Sequence, residues 1–117
     1  SWMIYTSYFS KFNKVKQMGK KCISIARFTP RDIYVQSYLS LAPTYEILRE
    51  WKKNEDIDRY IDRYVDEILS KLSPEKVYAD LDECVLFCYE RSDSFCHRHL
   101  VAEWLRFYGF ECNELHL

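Results

Sequence analysis

The run Cys84-Val85-Leu86-Phe87-Cys88-Tyr89-Glu90 constrains this chain more than any other segment. It is apolar on both faces, with none of the alternation that marks a half-buried strand. Continuous apolar runs of this length belong to central strands of parallel sheets, where crossover helices cover both sides. The loop Arg91-Ser92-Asp93-Ser94-Phe95 follows, and then a helical pattern over about 96–108. That helix aligns Leu100, Val101, Trp104, Leu105 and Tyr108, and Gly109 is placed to end it. A buried strand feeding a helix is the unit of an α/β fold.

The rest of the chain fits that frame. The spacing predicts strands over 4–9, 21–27 and 111–116. Between the first two lies a basic connection, Lys11 to Lys20, with a helical turn closed by Gly19. Thr29-Pro30 stops the second strand, because proline has no amide hydrogen and restricts the residue before it. Residues 31–42 read as loop with a helical turn. Pro43 sits in the expected first turn of a helix running to about Lys53. The clearest helix spaces Ile57, Tyr60, Ile61, Tyr64, Val65, Ile68, Leu69 and Leu72 along one face, with Arg63–Glu67 and Glu67–Lys71 paired on the other. Ser73-Pro74 starts a short helix over 74–80. The expectation is one α/β domain over 1–117, a three-layer sandwich with a mostly parallel sheet of about four strands flanked by helices. Ser1 and Trp2 precede Met3 and are read as a remnant or a trimmed start.

Composition excludes several classes. The 117 residues hold only two glycines, Gly19 and Gly109, so there is no dinucleotide fingerprint and no P-loop. Aromatic residues make up 17%, too many for a disordered chain. No apolar run is long enough to span a membrane. Five cysteines, an odd number without a CxxC pair or a secretion signal, predict free thiols in the cytoplasm. Residues 1–31 carry seven basic groups and no acid, against ten basic and eighteen acidic groups in the rest. That basic third suits either a nucleic-acid partner or a solvated connection between strands.

Chemistry concentrates where the central strand meets its helix. Ligands of open parallel sheets bind beyond the carboxyl ends of the strands. Glu90 sits at such an end, on one strand face with Cys88. Cys96, His97, Arg98 and His99 fall in the first helical turn, where the macrodipole prefers anions. Helical spacing turns Cys96 and His97 to the buried side, His99 to water, and leaves Arg98 at the border. Free amides plus Arg98 would hold a phosphate, sulfate or carboxylate. A catalytic thiolate, a site-lining role and simple packing all fit Cys96. Arg98 equally suits a pair with Glu90 or Asp93, and His97 an oriented core position. Cys88, Cys96 and His97 offer soft ligands, with His99 or His116 as a fourth, but their spacing matches no standard zinc pattern, so no metal and no cofactor is expected. A Cys-based phosphatase needs Arg six residues after its cysteine; those positions are Ser94 and Ala102.

The runs Ser24-Ile25-Ala26-Arg27-Phe28-Thr29-Pro30 and Tyr38-Leu39-Ser40-Leu41-Ala42-Pro43-Thr44, and above all Leu86-Phe87-Cys88-Tyr89-Glu90 with Phe95-Cys96-His97-Arg98-His99-Leu100-Val101-Ala102-Glu103, carry a resemblance. The chain resembles, over nearly its whole length, the small bacterial and phage proteins of the domain-of-unknown-function 488 family. The resemblance implies a compact cytoplasmic α/β domain with Cys88, Glu90, Cys96, His97 and Arg98 gathered at one end of the sheet. Tyr5, Ser7 and Arg27 lie in the matching strands and are expected to reach the same end.

Three functions follow. In the first, an enzyme acts on an anionic substrate such as a nucleotide or nucleic-acid component, with Glu90, Cys96 and His97 as catalytic groups and Arg98, Cys88, Arg27, Tyr5 and Ser7 binding. In the second, the same site binds a nucleotide or other small anion without catalysis. In the third, the aromatic residues serve a protein–protein interface.

Overall fold

The computed structural model describes residues 3–117, so the reading of Ser1 and Trp2 lies outside the described residues. Five strands form one all-parallel sheet: β1 (Ile4–Tyr8), β2 (Lys21–Ser24), β3 (Gln36–Ser37), β4 (Cys84–Cys88) and β5 (Cys112–Glu114), in the order β3-β2-β4-β1-β5. Among the described residues there are five α-helices: α1 (Phe12–Gln17), α2 (Tyr45–Asn54), α3 (Ile57–Glu67), α4 (Pro74–Leu81) and α5 (His97–Phe107). The α/β expectation holds, with one strand more than expected.

Strand β4 is central, as its composition demands. All five of its residues are buried, and it pairs with β1 on one side and β2 on the other. Its side chains alternate between two cores. Cys84, Leu86 and Cys88 pack under α2–α5, while Val85 and Phe87 meet Phe9, Phe12 and Val15 on the α1 side. The Phe87 ring stacks on Phe9 and meets Phe12 edge-on at 5.2 Å between centroids. The unequal layers follow from connectivity. Parallel crossovers keep one hand, so connections running in opposite directions across the sheet lie on opposite faces. The β1–β2 crossover runs one way through α1. The β3–β4 and β4–β5 crossovers run the other way, through α2–α4 and α5.

Local chemistry sets the element ends. Thr44, Asp56 and Ser73 cap α2, α3 and α4, their side chains accepting from the amides of Ile47, Arg59 and Lys76. Pro43 therefore lies before the cap of α2, outside the first turn expected for it. Glu50 holds Arg59 and Arg63, and Arg63 also holds Glu67, which fastens α2 to α3. The stripe over 57–72 is not a single helix: α3 ends at Glu67, and Leu69–Lys71 form a 3-10 turn. Tyr60, Tyr64 and Leu69 are buried from that stripe, but Ile57 and Val65 stay exposed. Strand β2 ends at Ser24, short of the expected Arg27. The Ser24 hydroxyl accepts from the Ala26 amide and bonds Thr29 Oγ1 at 2.7 Å, turning the chain out of the ladder. Strand β3, unexpected in residues 31–42, pairs two exposed residues with Ile23 and Ser24.

Candidate functional site

A cavity of about 500 Å³ opens beyond the carboxyl ends of β2 and β4. After β2 the chain turns toward β3, and after β4 it turns toward β5, so the exit loops diverge there. This is the switch point at which open α/β sheets bind ligands. The walls come from Phe28, Trp51, Tyr60, Tyr89 and Phe95, and the charged side chains are Arg27, Lys52 and Glu90. Trp51, Tyr60 and Phe95 pack on one another with ring centroids 5.0–5.7 Å apart. Cys88, Cys96 and His97 line the same cavity.

Cys88 closes β4 and Cys96 is the residue before α5, and the two are joined as a disulfide. This corrects the expectation of free thiols for that pair; Cys22, Cys84 and Cys112 are free. Burial raises the pKa of Cys84 and pushes Cys112 up to about 12, so both are poor nucleophiles. The half-buried Cys22 is also raised, by burial first.

His97 is buried, with Nε2 2.8 Å from the Ile25 carbonyl oxygen. A carbonyl only accepts, so Nε2 carries the proton and donates it, and Nδ1 keeps its lone pair. That nitrogen faces Cys96 Sγ at 3.9 Å. Burial lowers the His97 pKa to about 4, which leaves the ring neutral near pH 7. Tyr64 stands edge-on to the imidazole and donates to the Leu41 carbonyl oxygen at 2.7 Å.

Arg98 departs most from its expected place at the helix border. It is 0% exposed, so it offers no open anion contact. Its Nε and Nη2 hold the two carboxylate oxygens of Glu114 at 3.0 and 2.9 Å. Its Nη1 donates to the Glu90 carbonyl oxygen at 2.6 Å and to Cys88 Sγ at 3.2 Å. The guanidinium also lies over the Tyr8 ring. Neither Glu90 nor Asp93 supplies its carboxylate; Asp93 pairs with Arg91. Burial acts to raise the Glu114 pKa, but hydrogen bonds from Arg98, Ser92 and Thr6 outweigh it and bring the carboxyl to about 2. His99 does not point to water as expected. It is half-buried, and its pKa is lowered by burial and by the Arg98 charge.

Strand β4 ends at Cys88, so Glu90 lies in a bend at the exposed rim instead of sharing a strand face with Cys88. Arg27 reaches the cleft, with Nε donating to the Pro43 carbonyl oxygen at 2.9 Å. Tyr5 and Ser7 do not reach it. Side chains alternate along a strand, and Tyr5 joins the core on the α1 side, which puts Ser7 on that side too. Thr6 and Tyr8 face the α5 side instead, outside the cleft lining, where Thr6 Oγ1 donates to Glu114 at 2.6 Å and the Tyr8 ring lies under the Arg98 guanidinium. Of the seven basic residues in the first third, only Arg27 lines the cleft; Lys14 and Lys16 are exposed on α1, across the sheet from α5.

The model of the DUF488-N3a family, described as the active DUF488-N3 subclade, matches residues 9–109. The chain belongs to the DUF488 family. The matched span of this DUF488 member contains the whole cleft and the Cys88, Cys96, His97 and Arg98 group. It leaves out Thr6 and Glu114, which complete the setting of Arg98 from the flanking strands. No curated protein and no solved structure matched the chain. Among the described residues, no helix is long and apolar enough to cross a membrane.

Proposed function

We propose that this chain is an enzyme acting on a small anionic substrate with a planar ring, a nucleotide or a nucleic-acid component. The convergence in the cleft carries this reading: aromatic walls, two cations, a carboxylate and the Cys88, Cys96 and His97 group share one cavity. Arg27, Lys52 and Glu90 have no ion-pair partner among the described residues. The aromatic walls suit the faces of a base. Arg27, in place of the buried Arg98, meets the phosphate or carboxylate, for which its forked guanidinium is built. Glu90 at the open rim is the proton carrier. The description of the matching subclade as active supports catalysis.

The test is a panel of ribonucleotides and deoxyribonucleotides, read by calorimetry for binding and by chromatography for turnover. Arg27→Ala weakens binding by about tenfold or more, the worth of a charge-assisted hydrogen bond. Glu90→Gln keeps binding and abolishes turnover. A panel that neither binds nor turns over sinks the proposal.

The disulfide favours a second reading, a binding module for the same ligands. With Cys88 and Cys96 bonded to each other, neither sulfur is a nucleophile. Binding that depends on Arg27, with no turnover in any redox state, selects this reading.

A further inference from the structure

The floor of the cleft has the parts of a metal site. The sulfurs of Cys88 and Cys96 and a ring nitrogen of His97 lie within 4.8 Å of one another, and all three residues are buried. His97 gives its Nε2 proton to the Ile25 carbonyl oxygen and turns the Nδ1 lone pair toward Cys96 Sγ. A backbone carbonyl on the far nitrogen is the support that metal-bound histidines use to fix tautomer and ring orientation. On the other side, Arg98 Nη1 donates to Cys88 Sγ. A charged donor favours a sulfur as thiolate. The two Cα atoms stand 7.3 Å apart, wider than the roughly 4.4–6.8 Å usual for a bonded pair. Opening the bond therefore lets the sulfurs part without the backbone having to move aside.

We propose that the dithiol form of this chain binds one zinc-class divalent cation through Cys88 Sγ, Cys96 Sγ and His97 Nδ1. Two thiolates and an imidazole suit a borderline-soft ion, and three protein ligands leave the fourth tetrahedral position open. All three residues line the cleft, so the open position faces the cavity, where water or a substrate atom completes the shell. The two thiolates balance the charge of the ion, and the Arg98 charge is already met by Glu114.

The steps balance with a dithiol reductant. One reductant thiolate attacks the Cys88–Cys96 bond, and the reductant leaves as its own disulfide, having supplied two electrons and two protons. Cys88 and Cys96 become thiols. The cation displaces those two protons as the two sulfur–metal bonds form, and His97 contributes a lone pair without losing a proton. Oxidation by a disulfide reverses both steps and releases the ion, so redox state sets occupancy.

The test uses the full chain, reduced, stripped of reductant under anaerobic conditions and titrated with Co2+. One equivalent brings up the strong visible bands of a tetrahedral site and near-ultraviolet thiolate-to-cobalt charge transfer. One equivalent of Zn2+ removes both, and the oxidised protein shows neither. Cys88→Ser, Cys96→Ser and His97→Gln lose or change the bands, while Cys22→Ser keeps them. Buried substitutions can unfold the chain, so alkylation of the wild type supplies a second measurement: equimolar Zn2+ slows Cys88 and Cys96 but leaves Cys22 unchanged. The proposal is overturned by reduced wild type without charge transfer at equimolar Co2+, by bands unchanged in Cys96→Ser, or by alkylation indifferent to Zn2+. Nucleotide binding to the oxidised, metal-free chain is scored separately, so either reading can fail while the other stands.

Discussion

Arg98 and Glu114 form a two-point ion pair, Nε to Oε1 at 3.0 Å and Nη2 to Oε2 at 2.9 Å. It ties the first turn of α5 to the last residue of β5. The Arg98 side chain is 0% exposed and that of Glu114 12%, so the pair is shielded from water. A buried charge that loses its partner is left uncompensated, which costs about 3–5 kcal/mol. Glu114→Gln is therefore expected to lower the unfolding free energy by about 3 kcal/mol in urea titrations. A loss under about 1 kcal/mol would instead mark a surface-type bridge.

The same carboxylate sets an acid limit. The Glu114 pKa falls from 4.5 to about 2 on folding. A group lowered in the folded state binds fewer protons there than in the unfolded chain, so acid favours unfolding. Its contribution is complete above the unfolded value, and is lost as pH falls from about 4.5 through about 2. Urea midpoints taken from pH 6 to pH 2 should fall more steeply for the wild type than for Glu114→Gln, with the two curves converging at the acid end. Parallel curves would refute the assignment.

Legibility in the sequence followed the range of the interactions. Strand β4 and helix α5 were readable because burial on both faces and helical spacing are local properties. Cys88, Glu90, Cys96 and His97 came with them, since one strand, one loop and one helix turn carry all four. Glu114 and Thr6 were not readable. Glu114 meets Arg98, and Thr6 meets Glu114, only because β1 lies between β4 and β5, and the Thr6–Glu114 contact spans 108 residues. The same distance explains why Arg98 looked like a border residue: the carboxylate that lets it be buried comes from another strand. Tyr5 and Ser7 failed by parity, where one residue reverses the face. Strand β3 had no pattern to read, being two exposed residues held through backbone hydrogen bonds.

That parity has a measurable consequence at Ser7. The residue is fully buried, and its hydroxyl has no hydrogen-bond partner among the described residues. A buried hydroxyl without a partner carries a desolvation cost of about 1–3 kcal/mol. Ser7→Ala is expected to hold or raise the urea midpoint and to leave ligand binding in the cleft unchanged. Weaker nucleotide binding in a stably folded Ser7→Ala protein would return Ser7 to the site.

The cysteines give a prediction that separates their environments in one experiment. Cys88 and Cys96 are bonded to each other, Cys84 and Cys112 are buried with raised pKa values, and Cys22 is half-buried. Thiolate is the reactive form, and access limits the rate. In the folded, unreduced chain, alkylation followed by mass spectrometry should label Cys22 first and leave Cys88 and Cys96 unmodified. After mild reduction, those two should become labelled together. Labelling of Cys88 before reduction would show that the bond is not present in the folded protein.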